Sequence, residues 1–168
     1  IDHLRGYCIP ELFKLIRRKE VIPIVFCVLI LSMSALFLSR SQASPDAASL
    51  SRHYNLGILY TGLGDYENAE AQLKSALGIN PGDFMSHFAL GNVYYRTKAF
   101  DEAVNEYRIA IRLNPLYANA YYNLGYLYQT TRRYQKAQAE YQRALAVNPD
   151  HEDARYNLEK VNNLIQSP

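Results

Sequence analysis

Residues 87–115 read HFALGNVYYRTKAFDEAVNEYRIAIRLNP, and residues 121–149 read YYNLGYLYQTTRRYQKAQAEYQRALAVNP. Overlaid at an offset of 34, the two agree at Leu90/Leu124, Gly91/Gly125, Tyr94/Tyr128, Ala103/Ala137, Ala110/Ala144 and Pro115/Pro149. Residues 53–81, HYNLGILYTGLGDYENAEAQLKSALGINP, supply a third copy, with Leu56, Gly57, Tyr60, Ala69, Ala76 and Pro81 on the same places. A fixed period of this length marks an array of supersecondary units. Each unit is too small to bury its own apolar faces, so neighbours stack to complete a core.

The residue types explain themselves at helical spacing. In each copy the first signature residue, Leu, Gly and Tyr fall on one stripe of a first helix, facing a second. Glycine and the two alanines allow close approach, while Leu and Tyr fill the flanks. Asp65 and Asp101 stand where second helices begin, favoured there by free N–H groups and the helix dipole. Pro81, Pro115 and Pro149 end each second helix by biasing the preceding Asn away from the helical region.

The pattern resembles the tetratricopeptide repeat, W-x2-L-G-x2-Y followed by A-x3-F, A and P. Six of the eight signature positions are identical in all three copies, and the match covers residues 50–151. Two positions depart. The family's Trp is His53, His87 and Tyr121, and the residue of the second helix that fills the pair is Leu73, Tyr107 and Tyr141. All can occupy the same interhelical space. The resemblance implies an all-α solenoid of three helix-turn-helix repeats, at 50–83, 84–117 and 118–151. Residues 152–168 start a fourth, since Tyr156-Asn157-Leu158 matches Tyr122-Asn123-Leu124. Glu159 and Asn162 then replace the Gly and Tyr positions, which makes this segment a solvating cap.

Ahead of the repeats, Val21–Leu38 (VIPIVFCVLILSMSALFL) holds no charge in eighteen positions. As a helix it spans ~27 Å, close to the ~30 Å hydrocarbon core of a bilayer. The expected organisation is a juxtamembrane segment at 1–20, a transmembrane helix at 21–39 and a flexible linker at 40–49. A cleaved signal peptide competes, because Lys14–Lys19 is basic and Ser41-Gln42-Ala43 is small. The apolar run is longer than the usual 7–15 residues, which favours an uncleaved anchor. Lys14, Arg17, Arg18 and Lys19 precede the run and only Arg40 closely follows it. The basic side faces the cytoplasm, so the repeats are expected on the opposite, periplasmic or lumenal, side. Leu12, Phe13, Leu15 and Ile16 mix with those basic residues, as in a headgroup-layer helix or the lower end of the span. Cys8 and Cys27 are about 28 Å apart along such a helix, too far for a disulfide.

Net charge is +2, and the chain holds fifteen Tyr and no Trp. Residues 50–168 carry 12 Lys/Arg and 12 Asp/Glu, so they lack the basic face of a nucleic-acid footprint. No Gly-rich phosphate loop, metal-ligand spacing or nucleophile with a base is present. The expected function is therefore protein binding rather than catalysis, with no cofactor and no metal. In the family the stacked first helices line a concave groove for an extended peptide or a partner helix. By that resemblance the partner-binding residues are Tyr54, Phe88, Tyr122 and Tyr156, an aromatic series at 34-residue spacing, with Asn55, Asn92, Tyr95, Asn123, Tyr126, Gln129 and Asn157 beside it. Amides grip backbone, and Tyr gives large contact area at low entropy cost. The same side chains also serve stacking, which leaves a static accessory subunit of a membrane complex as a second reading. Some members clamp a terminal carboxylate with basic residues. Here the equivalent positions are largely neutral, with Ile58 in place of an amide. A third reading is the C-terminal part of a multi-span membrane glycosyltransferase, which a first residue other than Met leaves open.

Overall fold

The computed structural model describes residues 45–166. Seven helices follow in order: α1 Pro45–Leu63, α2 Tyr66–Ile79, α3 Phe84–Arg96, α4 Phe100–Leu113, α5 Ala118–Thr130, α6 Tyr134–Val147 and α7 Glu152–Gln166. The expected segments 1–20 and 21–39, with Cys8 and Cys27, lie outside the described residues. Among the described residues no helix is long and apolar enough to cross a membrane.

The segment 40–49, expected as a flexible linker, is corrected at its C-terminal half, where α1 begins at Pro45. Proline's fixed φ suits a first helical position, Asp46 in the first turn meets the positive helix end, and Ala47 and Ala48 are strong helix formers. Asp65 caps α2 by accepting from the Asn68 backbone N–H. The helix α4 instead opens at Ala99 with no side-chain cap, so Asp101 acts from within the first turn beside Glu102. The second helices close at Asn80, Asn114 and Asn148, each in extended geometry before its proline.

First helices close differently. Gly64, Lys98 and Arg132, again 34 apart, are left-handed, with φ of 79°, 64° and 59°. The next N–H then reaches back to a carbonyl of the final turn: Asp65 to Tyr60 at 3.0 Å, Ala99 to Tyr94 at 2.9 Å and Arg133 to Tyr128 at 2.7 Å. These bonds satisfy carbonyls that a helix end otherwise leaves open.

Within each repeat the helices meet through glycine. A methyl group on Gly91 would stand 2.7 Å from the Tyr107 ring, on Gly125 2.9 Å from the Tyr141 ring, and on Gly57 2.6 Å from Leu73. Each successive helix from α2 to α7 packs on the next, and α3 also touches α5 as α5 touches α7. Among the described residues no two second helices touch one another. First helices therefore form an inner layer and second helices an outer one, the arrangement that curves a solenoid. Among the described residues most of the buried apolar side chains fall into two clusters. One joins Ala69, Leu73, Ala89, Leu90 and Val93, and the other runs from Ala103 and Tyr107 to Val161. At the far end α7 buries Ala154, Asn157 and Val161, while Glu159 faces solvent. At the near end Ile58, Leu59 and Leu63 stay exposed.

Candidate functional site

The inner layer holds a cavity of about 360 Å³. Five residues expected on this face line it: Asn92 and Tyr95 from α3, and Tyr122, Asn123 and Tyr126 from α5. Thirty-four-residue spacing brings them together, because equivalent positions of adjacent first helices stack side by side. Thr61, Arg96 and Tyr107 also line it and were not expected there.

Tyr107 is the instructive case. It occupies a core position on α4, yet its hydroxyl passes beneath the inner layer and donates to Asn92 Oδ1 at 2.8 Å. The same oxygen accepts from Asn123 Nδ2 at 2.7 Å, which ties repeat two to repeat three. Tyr141 repeats the device one unit on, donating to Gln129 Oε1 at 2.6 Å. Burial pushes the Tyr107 and Tyr141 phenols far above the usual range, so both remain protonated donors. A signal was available in the sequence. Both places carry Tyr where the family pattern has Phe, and each faces an amide on its own first helix.

The remaining expected residues divide between cavity wall and internal packing. Tyr95 and Tyr126 form a ring pair at 5.8 Å, and the Tyr95 hydroxyl meets Thr130 Oγ1 at 3.2 Å. Tyr122 stacks on Tyr126 at 6.3 Å, while its other neighbours are Tyr141 at 5.8 Å and His151 at 4.8 Å. Burial raises its phenol too, with Asp153 and Tyr126 adding to the shift. Phe88 sits edge-on to Tyr117 at 5.0 Å and against Tyr107 at 6.0 Å. Tyr54 packs on the first core cluster, and its phenol is raised by burial and then by Tyr117 and Asp83.

The aromatic series is therefore not one continuous surface. Between its members stand the N-cap residues Tyr117 and His151, one period apart, each laid on the aromatic 29 residues before it. His151 also caps α7 by accepting the Ala154 N–H at 3.3 Å on Nδ1. Asn157 is 9% exposed and donates to the Tyr122 hydroxyl and the Asp153 carbonyl, so its amide serves packing. Asn55 is exposed on α1, and Tyr156 is 68% exposed, away from the cavity. Neutral amides, phenols and aromatic faces suit hydrogen bonding to backbone and ring contact.

Two family models of the tetratricopeptide repeat match, over residues 54–118 and 118–151, together more than half of the chain. The chain is a tetratricopeptide-repeat protein. The first tetratricopeptide domain of Spaghetti (RPAP3), solved bound to the HSP90 peptide SRMEEVD, superposes with a TM-score of 0.68 at 22% identity, covering 71% of this chain and 95% of that one. YrrB, described as a tetratricopeptide protein with an unusual peptide-binding site, superposes with a TM-score of 0.62 at 25% identity, covering 66% and 57%. A Thermobaculum terrenum O-GlcNAc transferase mutant gives 0.66 at 22% identity, covering 71% of this repeat protein and 23% of that chain. Comparison with the curated proteins finds no match.

Proposed function

We propose that this tetratricopeptide protein is a membrane-anchored interaction scaffold or assembly subunit that holds an extended segment of a partner on its inner layer. The cavity between α3 and α5 carries this reading, because it offers aromatic walls and amide groups where the first helices stack. The RPAP3 domain with its HSP90 peptide and YrrB with its peptide-binding site lend support from the same fold. The apolar run at 21–39 supplies the anchor, and the flanking charges put the N-terminal segment in the cytoplasm and the repeats across the membrane.

A second reading has its own observation. Asn92, Gln129 and Asn157 already satisfy hydrogen bonds within the protein, as a static accessory subunit of a membrane complex would have them. Copurification from native membranes in mild detergent separates the two. Tyr122→Ala and Tyr126→Ala, both at the cavity wall and checked for helicity and melting, should weaken partner binding by about 1–3 kcal/mol, roughly 5- to 150-fold. Arg112→Ala, on the exposed side of α4, should leave it unchanged. Arg108 and Arg143 are poorer controls, since Arg108 donates to the Tyr128 hydroxyl and Arg143 pairs with the buried Glu140. Full recovery with the aromatic variants and loss with Arg112→Ala would place the partner on the outer layer. For topology, an impermeant thiol reagent should reach Cys8 only from the cytoplasmic side of sealed vesicles, and a cysteine at Ser44 only from the other. Labelling of both from one side refutes the arrangement.

A further inference from the structure

Arg96 ends α3 and is exposed, and among the described residues it makes no hydrogen bond or ion pair. It lines two spaces at once. One is the tyrosine-walled cavity already described, and the other is an open depression of about 530 Å³ where α1 gives way to α2. The walls of the depression are aliphatic on the α1 side, with Ile58 44% and Leu63 71% exposed, and Tyr66 opposite. Thr61 also belongs to both spaces, so they are contiguous around the pair Thr61 and Arg96. Every other side chain lining either space is uncharged at neutral pH.

Resting on the groove reading above, we infer that one short partner segment lies across both spaces with an acidic side chain on Arg96. An aliphatic side chain of that segment fills the Ile58–Leu63 depression, and a planar one enters the cavity lined by Tyr95, Tyr122 and Tyr126. Charge complementarity selects the central residue. A guanidinium is a planar fork matched to a carboxylate, and among the described residues no side chain or carbonyl hydrogen-bonds to it. The walls select the flanks: rings pack favourably on rings, and exposed Ile and Leu gain by covering apolar area. An extended segment advances about 3.3 Å per residue, so a handful of residues bridges two adjoining spaces. Recognition of this kind reads internal side chains and needs no chain terminus.

The test uses the full chain and a positional-scanning library of heptapeptides, acetylated and amidated so that neither end is charged. Selected peptides should carry Asp or Glu between an aliphatic and an aromatic residue. The best of them, read by fluorescence anisotropy, should bind Arg96→Glu at least tenfold more weakly. A selection on Arg96→Glu should replace the acid by Lys or Arg, and Leu63→Ser should erase only the aliphatic preference. Both side chains are exposed, so melting should not change in either variant. Absence of an acidic preference, or its survival in Arg96→Glu, overturns the inference. Peptides that depend on Tyr122 or on the more exposed Tyr126, tested as alanine variants, but ignore Arg96 leave the groove standing and remove only this proposal. A library with no binder sensitive to either tyrosine removes both.

Discussion

The first and third repeats share six of the eight signature residues and present different inner faces. In α5–α6 the large residue over the glycine is Tyr141, whose hydroxyl reaches Gln129. In α1–α2 the place is held by Leu73, fully buried, and the inner face above it shows Ile58 and Thr61. The third repeat is closed by α7, whereas the first leaves Leu59 and Leu63 uncovered. One substitution in the core thus decides whether a repeat sends a polar group to its inner surface. The signature builds the pair of helices, and the identity of its filling residue sets the chemistry of the face.

The largest effect expected from this difference concerns the glycines. Gly91→Leu should cost on the order of 1–3 kcal/mol, because the added side chain meets a ring anchored by Asn92. Gly57→Leu should cost less, since Leu73 has rotamers to yield and α1 has no neighbour before it among the described residues. Equal losses in thermal or denaturant melts would break the contrast. Removing the hydroxyls comes next. Tyr107→Phe and Tyr141→Phe should each lose about 1 kcal/mol, the worth of one hydrogen bond. The reverse experiment sharpens it: Leu73→Tyr should destabilise, and Ile58→Asn in the same chain should restore part of the loss.

Six recurring positions made the helix pairs and their stacking legible, and the same period placed Asn92, Tyr95, Tyr122, Asn123 and Tyr126 on one face. Periodicity carries no information on pairing, however. That Asn92 would be held by Tyr107 and Asn123, or that Asn157 would turn into the packing, depends on side-chain reach across repeats. Arg96 escaped notice because it stands one residue beyond the inner-face positions, where the last turn of α3 swings it to the rim. The start of α1 was missed because Ser, Pro and Asp signal a linker and a helix entrance alike. The shared left-handed turn was also hidden, since only Gly64 of the three residues advertises it.

That turn gives a smaller test. Lys98→Gly and Arg132→Gly should stabilise by roughly 0.5 kcal/mol as left-handed strain is relieved, partly offset by chain entropy, while Gly64→Ala should cost about 1 kcal/mol. A melt shifting the other way would show that lysine and arginine earn contacts there that outweigh the strain. The smallest effect lies between repeats. Tyr94 donates to Glu70 at 3.0 Å with Lys74 2.7 Å from the same carboxylate, whereas one repeat later Tyr128 accepts from Arg108 at 3.1 Å. The Lys74 hydrogen bond, with help from Tyr94, holds the Glu70 carboxyl below its usual range. Its contribution is present above the ordinary carboxylate pKa and is lost as pH falls through the lowered one. The Arg108–Tyr128 bond involves no carboxylate, so acid should loosen the first junction by at most ~0.5 kcal/mol and spare the second. Glu70→Gln should abolish that pH dependence in melts of the folded repeats.

The division of the buried side chains has a kinetic meaning. Among the described residues Tyr94 alone packs against both clusters, so the two share a narrow seam. In a linear array, opening begins where a unit has a neighbour on one side alone and propagates inward. Amide protons of α2 should therefore exchange with solvent deuterium sooner than those of α5 and α6, with α3 marking the step between a fast population and a slow one.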